Sequence, residues 1–306
     1  MAKRCRICQK KAFIYLRYAN LALCKEHFIQ RTEKVVKETI EKFKMFSSQD
    51  KILVAVSGGK DSLVLWHILG KLGFKADGVH LDLGIGEFSS LSLKLSQKFS
   101  ETHQFNLKVV SAKEVLGASL EELFKKSKEK PCSLCGTVKR HLLNEFAYKE
   151  GYSVLLTGHH LDDETARLLG NLLNWEIDYI WRQFPVLPQE GRLIKRAKPL
   201  VFLSKKEIET YAQLEGIEYL QVKCPYSRGS KLHFLSDIMD EIEKHFPSSK
   251  LRFLKGFYKL RRIFYPKKPI KLFECPSCKM PTTSEGLCRF CRLKERISHG
   301  ENFKTN

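Results

Sequence analysis

The chain has 306 residues, 43% of them hydrophobic, enough for one large domain with small attachments around a substantial core. Its 54 Lys and Arg stand against 34 Asp and Glu, and a formal charge of +20 points to a polyanionic partner, nucleic acid foremost. No apolar run reaches the roughly 18 residues of a membrane span, and Met-Ala-Lys-Arg begins no secretory segment, so a cytoplasmic protein without a membrane partner is expected.

In chain order, a first cysteine-rich module is followed by an amphipathic helix over 28–47, read from Phe28, Val35, Val36, Ile40 and Phe43. Strands are expected at 52–56, 77–82, 106–111 and 152–157. Between and after them fall helices at 60–72, 89–103, 113–126, 136–150 and 163–173. A short strand at 199–201 precedes a helix at 204–215, and a basic helical stretch covers 231–262. This alternation predicts an α/β fold with a parallel sheet covered on both faces, whose ligands bind at the carboxyl ends of the strands. Three parts are expected: an N-terminal zinc module (1–30), an ATP-binding catalytic core (31–265) and a C-terminal zinc module (266–306).

The first strand runs directly into Ser57-Gly58-Gly59-Lys60-Asp61-Ser62. A glycine turn between a buried strand and a helix aims backbone N–H groups and the helix N-terminus at one point, which suits phosphate. It is not a Walker A loop: Val54 stands where the first glycine belongs and Asp61 where Ser or Thr belongs. The string resembles the pyrophosphate loop of the ATP pyrophosphatase superfamily. That resemblance implies an adenine nucleotide α-hydrolase-like core that cleaves ATP between the α and β phosphates.

All ten cysteines fall into groups. Cys5-x2-Cys8 with Cys24-x2-His27, and Cys275-x2-Cys278 with Cys288-x2-Cys291, have the paired spacing of closed tetrahedral zinc sites, which are structural. Cys132-x2-Cys135 lies mid-chain, and Cys224 is the cysteine left to join it. Three thiolates without an obvious fourth ligand suit an open [4Fe–4S] cluster. A persulfide-carrying or redox CxxC, or a third zinc with a non-cysteine ligand, are the other readings of the same residues. Basic strings at Arg192-Lys195-Arg196-Lys198 and Lys255-Lys259-Arg261-Arg262-Lys267-Lys268 hold few acids. Tyr258, Phe264 and Tyr265 interleave the second, as stacking on bases requires.

Taken in order, Ser57–Ser62, His80-Leu-Asp-Leu-Gly84, Pro131-Cys-Ser-Leu-Cys-Gly136, Thr157-Gly-His-His-Leu-Asp-Asp-Glu164 and Cys224-Pro-Tyr-Ser227 resemble the tRNA 2-thiolation enzymes of the TtcA/TtuA family. The terminal modules extend the likeness to the TtuA type, which acts on 5-methyluridine at tRNA position 54. His160 departs from the pattern, where Asn is expected. The resemblance implies that Ser57, Gly58, Gly59, Asp61 and Ser62 hold ATP phosphates, Asp61 with Mg2+. Backbone at Ala55, His80 and Leu81 would meet the adenosine, and Gly158 would allow close approach. Lys139 and Asp163 match catalytic positions, with Cys132, Cys135 and Cys224 acting in sulfur transfer. His159 and His160 are read as packing or hydrogen-bonding groups. A ubiquitin-like carrier protein ending in a thiocarboxylate is implied as sulfur donor, and a homodimer as the assembly. Thiolation of wobble uridine 34 or cytidine 32, an ATP-dependent ligase or amidotransferase, and a non-enzymatic zinc-finger RNA-binding protein are the rival functions.

Overall fold

The computed structural model describes residues 3–227, 231–264, 272–283 and 285–299; of residues 261 and 262 it describes the backbone alone. Lys267, Lys268 and Tyr265 of the second basic string, with the 265/266 boundary, lie outside the described residues.

A hairpin of β1 (Ile14–Leu16) and β2 (Leu21–Leu23) leads into α1 (Lys25–Lys42), which starts within the first cysteine module rather than at 28. The core then alternates β3 (Ile52–Val56), α2 (Lys60–Lys71), β4 (Ala76–Asp82), α3 (Gly86–His103) and β5 (Leu107–Ser111). Next come α4 (Ala112–Leu116), α5 (Leu120–Lys126), α6 (Pro131–Lys149), β6 (Val154–Leu156), α7 (Leu161–Leu173) and α8 (Ile177–Ile180). They are followed by β7 (Val186–Leu187), β8 (Lys195–Ala197), α9 (Lys205–Leu214), α10 (Lys231–His245) and α11 (Ser249–Leu260). A second hairpin, β9 (Phe273–Glu274) and β10 (Pro281–Thr282), and α12 (Arg289–Ser298) complete the described chain.

Four expectations shift, each for a local reason. The helix expected at 113–126 is two, because Gly117 takes φ +79° and Ser119 opens a capping box with Glu122. Helix α6 begins at Pro131, which fits a first helical turn that needs no N–H. The strand expected at 199–201 is a turn: Pro199 cannot donate to a ladder, and the strand is Lys195–Ala197 instead. The stretch 231–262 breaks at Pro247, and Glu243 caps the second helix by accepting from the Ser248 and Lys250 N–H groups at 2.7 and 2.8 Å.

The central sheet has the order β5-β4-β3-β6-β8-β7, parallel except for the edge strand β7, which runs antiparallel to β8. Ile52, Val54 and Val56 pack under α1, α2 and α9, whereas Leu53 faces the opposite layer with Ala147 of α6. Helix α2 is buried from Ser62 to Leu69, as expected of a helix that is apolar nearly all round. Gly78 lets Trp66 lie flat on the sheet, since a Cβ there would stand 2.5 Å from the indole. Strand order reverses between β3 and β6, so the ligand crevice of such a sheet opens at their carboxyl ends.

His67 sits inside the α2–α9 interface, 3.3 Å from the Tyr211 hydroxyl and 5.0 Å ring to ring from His103. Burial, then the charge of His103, brings it down to about 4. A histidine held below its unfolded value stabilises the fold above about pH 6.5 and loses that contribution as pH falls toward 4. Between pH 7 and 4.5 the wild type is therefore expected to lose about 2 kcal/mol more stability than His67→Gln. Thermal melts across that range, followed by circular dichroism, check this; parallel curves would refute it.

Candidate active site

The turn after β3 is built to leave its N–H groups facing the crevice. Gly58 takes φ +68° and lies so close to α3 that a Cβ would stand 2.6 Å from the Ser92 carbonyl oxygen. The Ser92 hydroxyl donates to the Ser57 carbonyl at 2.7 Å, and the Ser57 N–H donates to the Ser62 hydroxyl at 3.1 Å. Gly59 is the N-cap of α2, so the helix N-terminus points into the same space. Alongside, Ala55 pairs with Val79 and Val56 with His80, which sets Ala55, His80 and Leu81 at the ends of adjoining strands. The His80 ring is buried against the Ser96 hydroxyl at 3.1 Å, and burial brings it down to about 4, leaving it neutral. Ser89, Ser92, Ser96 and Ser100 form one buried stripe of α3. Their three- and four-residue spacing is a signal that sequence reasoning passed over.

The loop after β6 crosses the switch point. Gly158 packs directly on α2, where a Cβ would meet the Asp61 carbonyl carbon at 2.8 Å and the Ser62 nitrogen at 3.0 Å. Beyond it, His160 stands 3.7 Å from Asp61 and 3.4 Å from Asp163, so the structure gathers Asp61, His160 and Asp163 into one group. Burial opposes a charge on His160, yet Asp162, Asp163 and Asp61 outweigh it and push its pKa up. Burial also pushes Asp163 up, with Asp61 and Glu164 reinforcing it against His160. Its carboxylate accepts the His160 N–H at 3.3 Å, within the first turn of α7. Asp162 does different work: it accepts from the Lys205 N–H at 2.7 Å and from Lys250 Nζ at 2.5 Å, tying α7 to α9 and α11. His159 is brought down to about 3, first by burial and then by Lys198 and Arg167.

Cys132 lies in the first turn of α6 and is exposed, and Cys135 follows one turn later. Cys224 arrives just before a single 3-10 turn (Pro225–Ser227), whose Tyr226 carbonyl lies 3.7 Å from the Cys132 sulfur. Burial pushes the Cys135 thiol up; Lys139 opposes this, and Cys224 and Cys132 add to it. Lys139 stands one helical turn beyond Cys135 on α6, and its charge is felt both there and at His80 beside the nucleotide crevice.

The two terminal sets meet the demands of a single ion. In Cys5, Cys8, Cys24 and His27, and in Cys275, Cys278, Cys288 and Cys291, all ligand atoms lie within 4.8 Å of one another. The Cys8–Cys24 and Cys278–Cys288 sulfurs are each 3.7 Å apart, close to the edge of a tetrahedron with bonds of about 2.3 Å. Burial opposes ionisation of Cys5 and Cys288, but N–H donors at Cys5, and His141 with the Cys291 N–H at Cys288, bring each to about 6. Cys132, Cys135 and Cys224 are not gathered so tightly. That looser spacing fits a polynuclear cluster better than one zinc ion.

The first basic string is divided among separate partners. Lys198 pairs with buried Glu164 at 2.8 Å, Arg192 lies over the Tyr148 ring, and Lys195 bonds the Lys44 carbonyl; among the described residues Arg196 keeps no such partner. Tyr258 is engaged with the rings of Phe43, Phe184 and Phe202, and Phe264 with Phe257, so the stacking role expected of Tyr258 and Phe264 is corrected.

A parallel sheet with a glycine turn after its central strand, closed at the switch point by a second loop, defines a nucleotide-binding domain of the pyrophosphate-loop class. The PP-loop domain family matches residues 25–224, and the N-terminal LIM domain of 2-thiouridine synthetase TtuA matches residues 4–29. The chain belongs to the TtuA family of tRNA 2-thiolation enzymes. It is 38% identical to the tRNA-5-methyluridine(54) 2-sulfurtransferase of Pyrococcus horikoshii over 99% of this chain and 97% of that one. The enzyme of the same name from Thermus thermophilus is 41% identical over 96% of this chain and 91% of that one. Among solved structures, the U34-tRNA thiolase NcsA from Methanococcus maripaludis with its [4Fe-4S] cluster matches with a TM-score of 0.79 at 28% identity, covering 89% and 91% of the two chains. Among the described residues no helix is long and apolar enough to cross a membrane.

Proposed function

We propose that the chain is an ATP-dependent sulfurtransferase that converts 5-methyluridine at position 54 of tRNA to its 2-thio form. The observation that carries this is the place of Lys139 on α6, one helical turn beyond Cys135, with its charge felt at His80 beside the nucleotide crevice. A ligase or amidotransferase has no use for that bridge, and an RNA-binding protein has no use for the phosphate loop. Relatives named for position 54 are 38 to 41% identical, whereas the thiolase named for U34 is 28% identical, which favours position 54.

In this reading Ser57, Gly58, Gly59 and Ser62 hold the phosphates through N–H and hydroxyl donors. Backbone at Ala55, His80 and Leu81 meets adenosine, and Gly158 keeps the second loop close. Asp61 offers a hard oxygen ligand to Mg2+. The uracil C2 oxygen attacks the α-phosphorus of ATP, the bond to the β-phosphate breaks, and pyrophosphate leaves. Lys139 stabilises the charge that develops at the α-phosphate, and Asp163 holds or relays the base proton. Sulfide then adds to C2, the C2–O bond breaks, and AMP departs with the oxygen. A [4Fe–4S] cluster on Cys132, Cys135 and Cys224, when bound, supplies an iron free to hold that sulfide. The two terminal sets take structural Zn2+. The three-part organisation, a ubiquitin-like thiocarboxylate carrier as donor, a homodimer and a cytoplasmic location belong to the same proposal and rest on the family likeness.

The test is incubation of iron- and sulfide-reconstituted protein with ATP, sulfide and tRNA, followed by nucleoside mass spectrometry. The 2-thio nucleoside at position 54, with AMP and pyrophosphate, is expected; release of ADP, or thiolation elsewhere, would refute the reading. Lys139→Ala is expected to lower AMP release about 100- to 1,000-fold with ATP affinity little changed. A loss confined to ATP affinity would assign Lys139 to binding alone.

A further inference from the structure

We propose that Arg140, Arg167, Arg182 and Arg196, with the exposed ring of Tyr179, form the seat for the backbone phosphates that flank the target nucleotide of the substrate tRNA. This rests on the thiolation reading above and adds where the RNA lies.

The four arginines come from separate parts of the chain. Arg140 is on α6 one residue beyond Lys139, Arg167 is on α7, Arg182 follows α8, and Arg196 is on β8. Two hydrogen bonds bring their segments together. The Ile194 N–H donates to Asn144 Oδ1 at 2.9 Å, which sets Arg196, two residues along β8, beside Arg140, one turn back on α6; Gln183 Nε2 donates to the Glu164 carbonyl at 2.6 Å, which holds Arg182 against the part of α7 that carries Arg167. Arg140 folds back over Gly136, where a Cβ would stand 3.0 Å from its Nη1.

Among the described residues, no carboxylate oxygen comes within 4.0 Å of these four groups, although ion pairs surround them. Lys198 takes Glu164, and Arg289 takes Glu129. The one carboxylate that feels Arg167, Glu164, is already paired with Lys198, so four like charges gathered here cost stability unless a further anion offsets them. Guanidinium forks match phosphate oxygens in pairs, which an ammonium does not. Tyr179, 64% exposed, stands on α8 three residues before Arg182, and Arg182 lies 5.3 Å from the Trp181 ring. An unstacked base needs such a platform when its neighbours are held by phosphate contacts. ATP already has its phosphate site in the turn after β3, so the anion required here is a different one.

The test is tRNA binding by the reconstituted protein across a salt series. It uses the wild type, Arg167→Gln/Arg182→Gln, Arg182→Lys, and Lys255→Gln/Lys259→Gln on the α11 face. The arginine double variant is expected to bind at least about 10-fold more weakly at physiological salt, with the slope of log affinity against log salt reduced by about 1.5. ATP affinity and melting temperature should stay near wild type, Arg182→Lys should keep the salt slope, and the α11 variant should bind nearly as well as wild type. If wild type binds tRNA and the arginine double variant matches it in affinity and slope, the seat is overturned while the sulfurtransferase reading stands. The seat is likewise overturned if Arg182→Lys loses affinity as the glutamine variants do with an unchanged slope, for then the arginines only pack. If the wild type binds no tRNA, the function itself falls.

Discussion

Cys224→Ala is expected to abolish thiolation, by at least about 100-fold, and to lower bound iron from about four atoms per chain to near none. Cys132 and Cys135 alone, two thiols one helical turn apart, leave half of a four-iron cluster without protein ligands. ATP affinity should hardly change, because none of the bonds that shape the turn after β3 involves Cys224. The segment leading to it is still tethered there, through the Leu220 N–H to the Gly58 carbonyl at 2.9 Å. The half-buried thiol makes little packing contact to lose, so the melting temperature should stay within a few degrees. Metal analysis with absorbance and EPR spectra after anaerobic reconstitution reads the iron, and nucleoside mass spectrometry reads the activity. Full activity in Cys224→Ala would sink the cluster reading. Full iron with no activity would move Cys224 from ligand to sulfur carrier.

The core was legible wherever one local rule dominated. Ile52–Val56 is an unbroken apolar run ahead of a glycine turn, and it can only be a buried parallel strand. The terminal metal sets were legible because paired CxxC spacing is itself a geometric constraint. What escaped notice depended on tertiary context. The helix was expected from 136, whereas Pro131 at the first helical position begins α6 five residues earlier and so takes Cys132 and Cys135 into the helix. Leu200 and Val201 read as a strand because they are apolar and fully buried, but they are buried in a turn. His160 beside His159 read as packing; its position between Asp61 and Asp163 follows from how closely Gly158 lies on α2. Of the proposed arginine seat only Arg196 stood in a basic string of the sequence; Arg140, Arg167 and Arg182 are far apart along the chain and join it only through the packing of α6, α7 and α8.

That close approach gives the second large effect. Gly158→Ala is expected to lower thiolation about 100-fold and to cost about 1–3 kcal/mol of stability. An added Cβ would overlap main-chain atoms of Asp61 and Ser62, at 2.8 to 3.0 Å, and main chain cannot rotate aside as a side chain can. One of the two segments must therefore move. Helix α2 is locked by Leu63, Val64, Leu65 and Ile68, all fully buried, so the displacement falls on the loop from Thr157 to His160. His160 and Asp163 then draw away from Asp61, and the group of three loses its geometry. Gly256→Ala supplies the contrast: it lies within α11 with nothing within 4 Å of its added Cβ. It should leave activity unchanged and raise stability by up to about 1 kcal/mol. Melting curves and initial rates for the two variants side by side decide the matter. Wild-type rates in Gly158→Ala would mean that the loop after β6 takes no part in positioning the reacting groups.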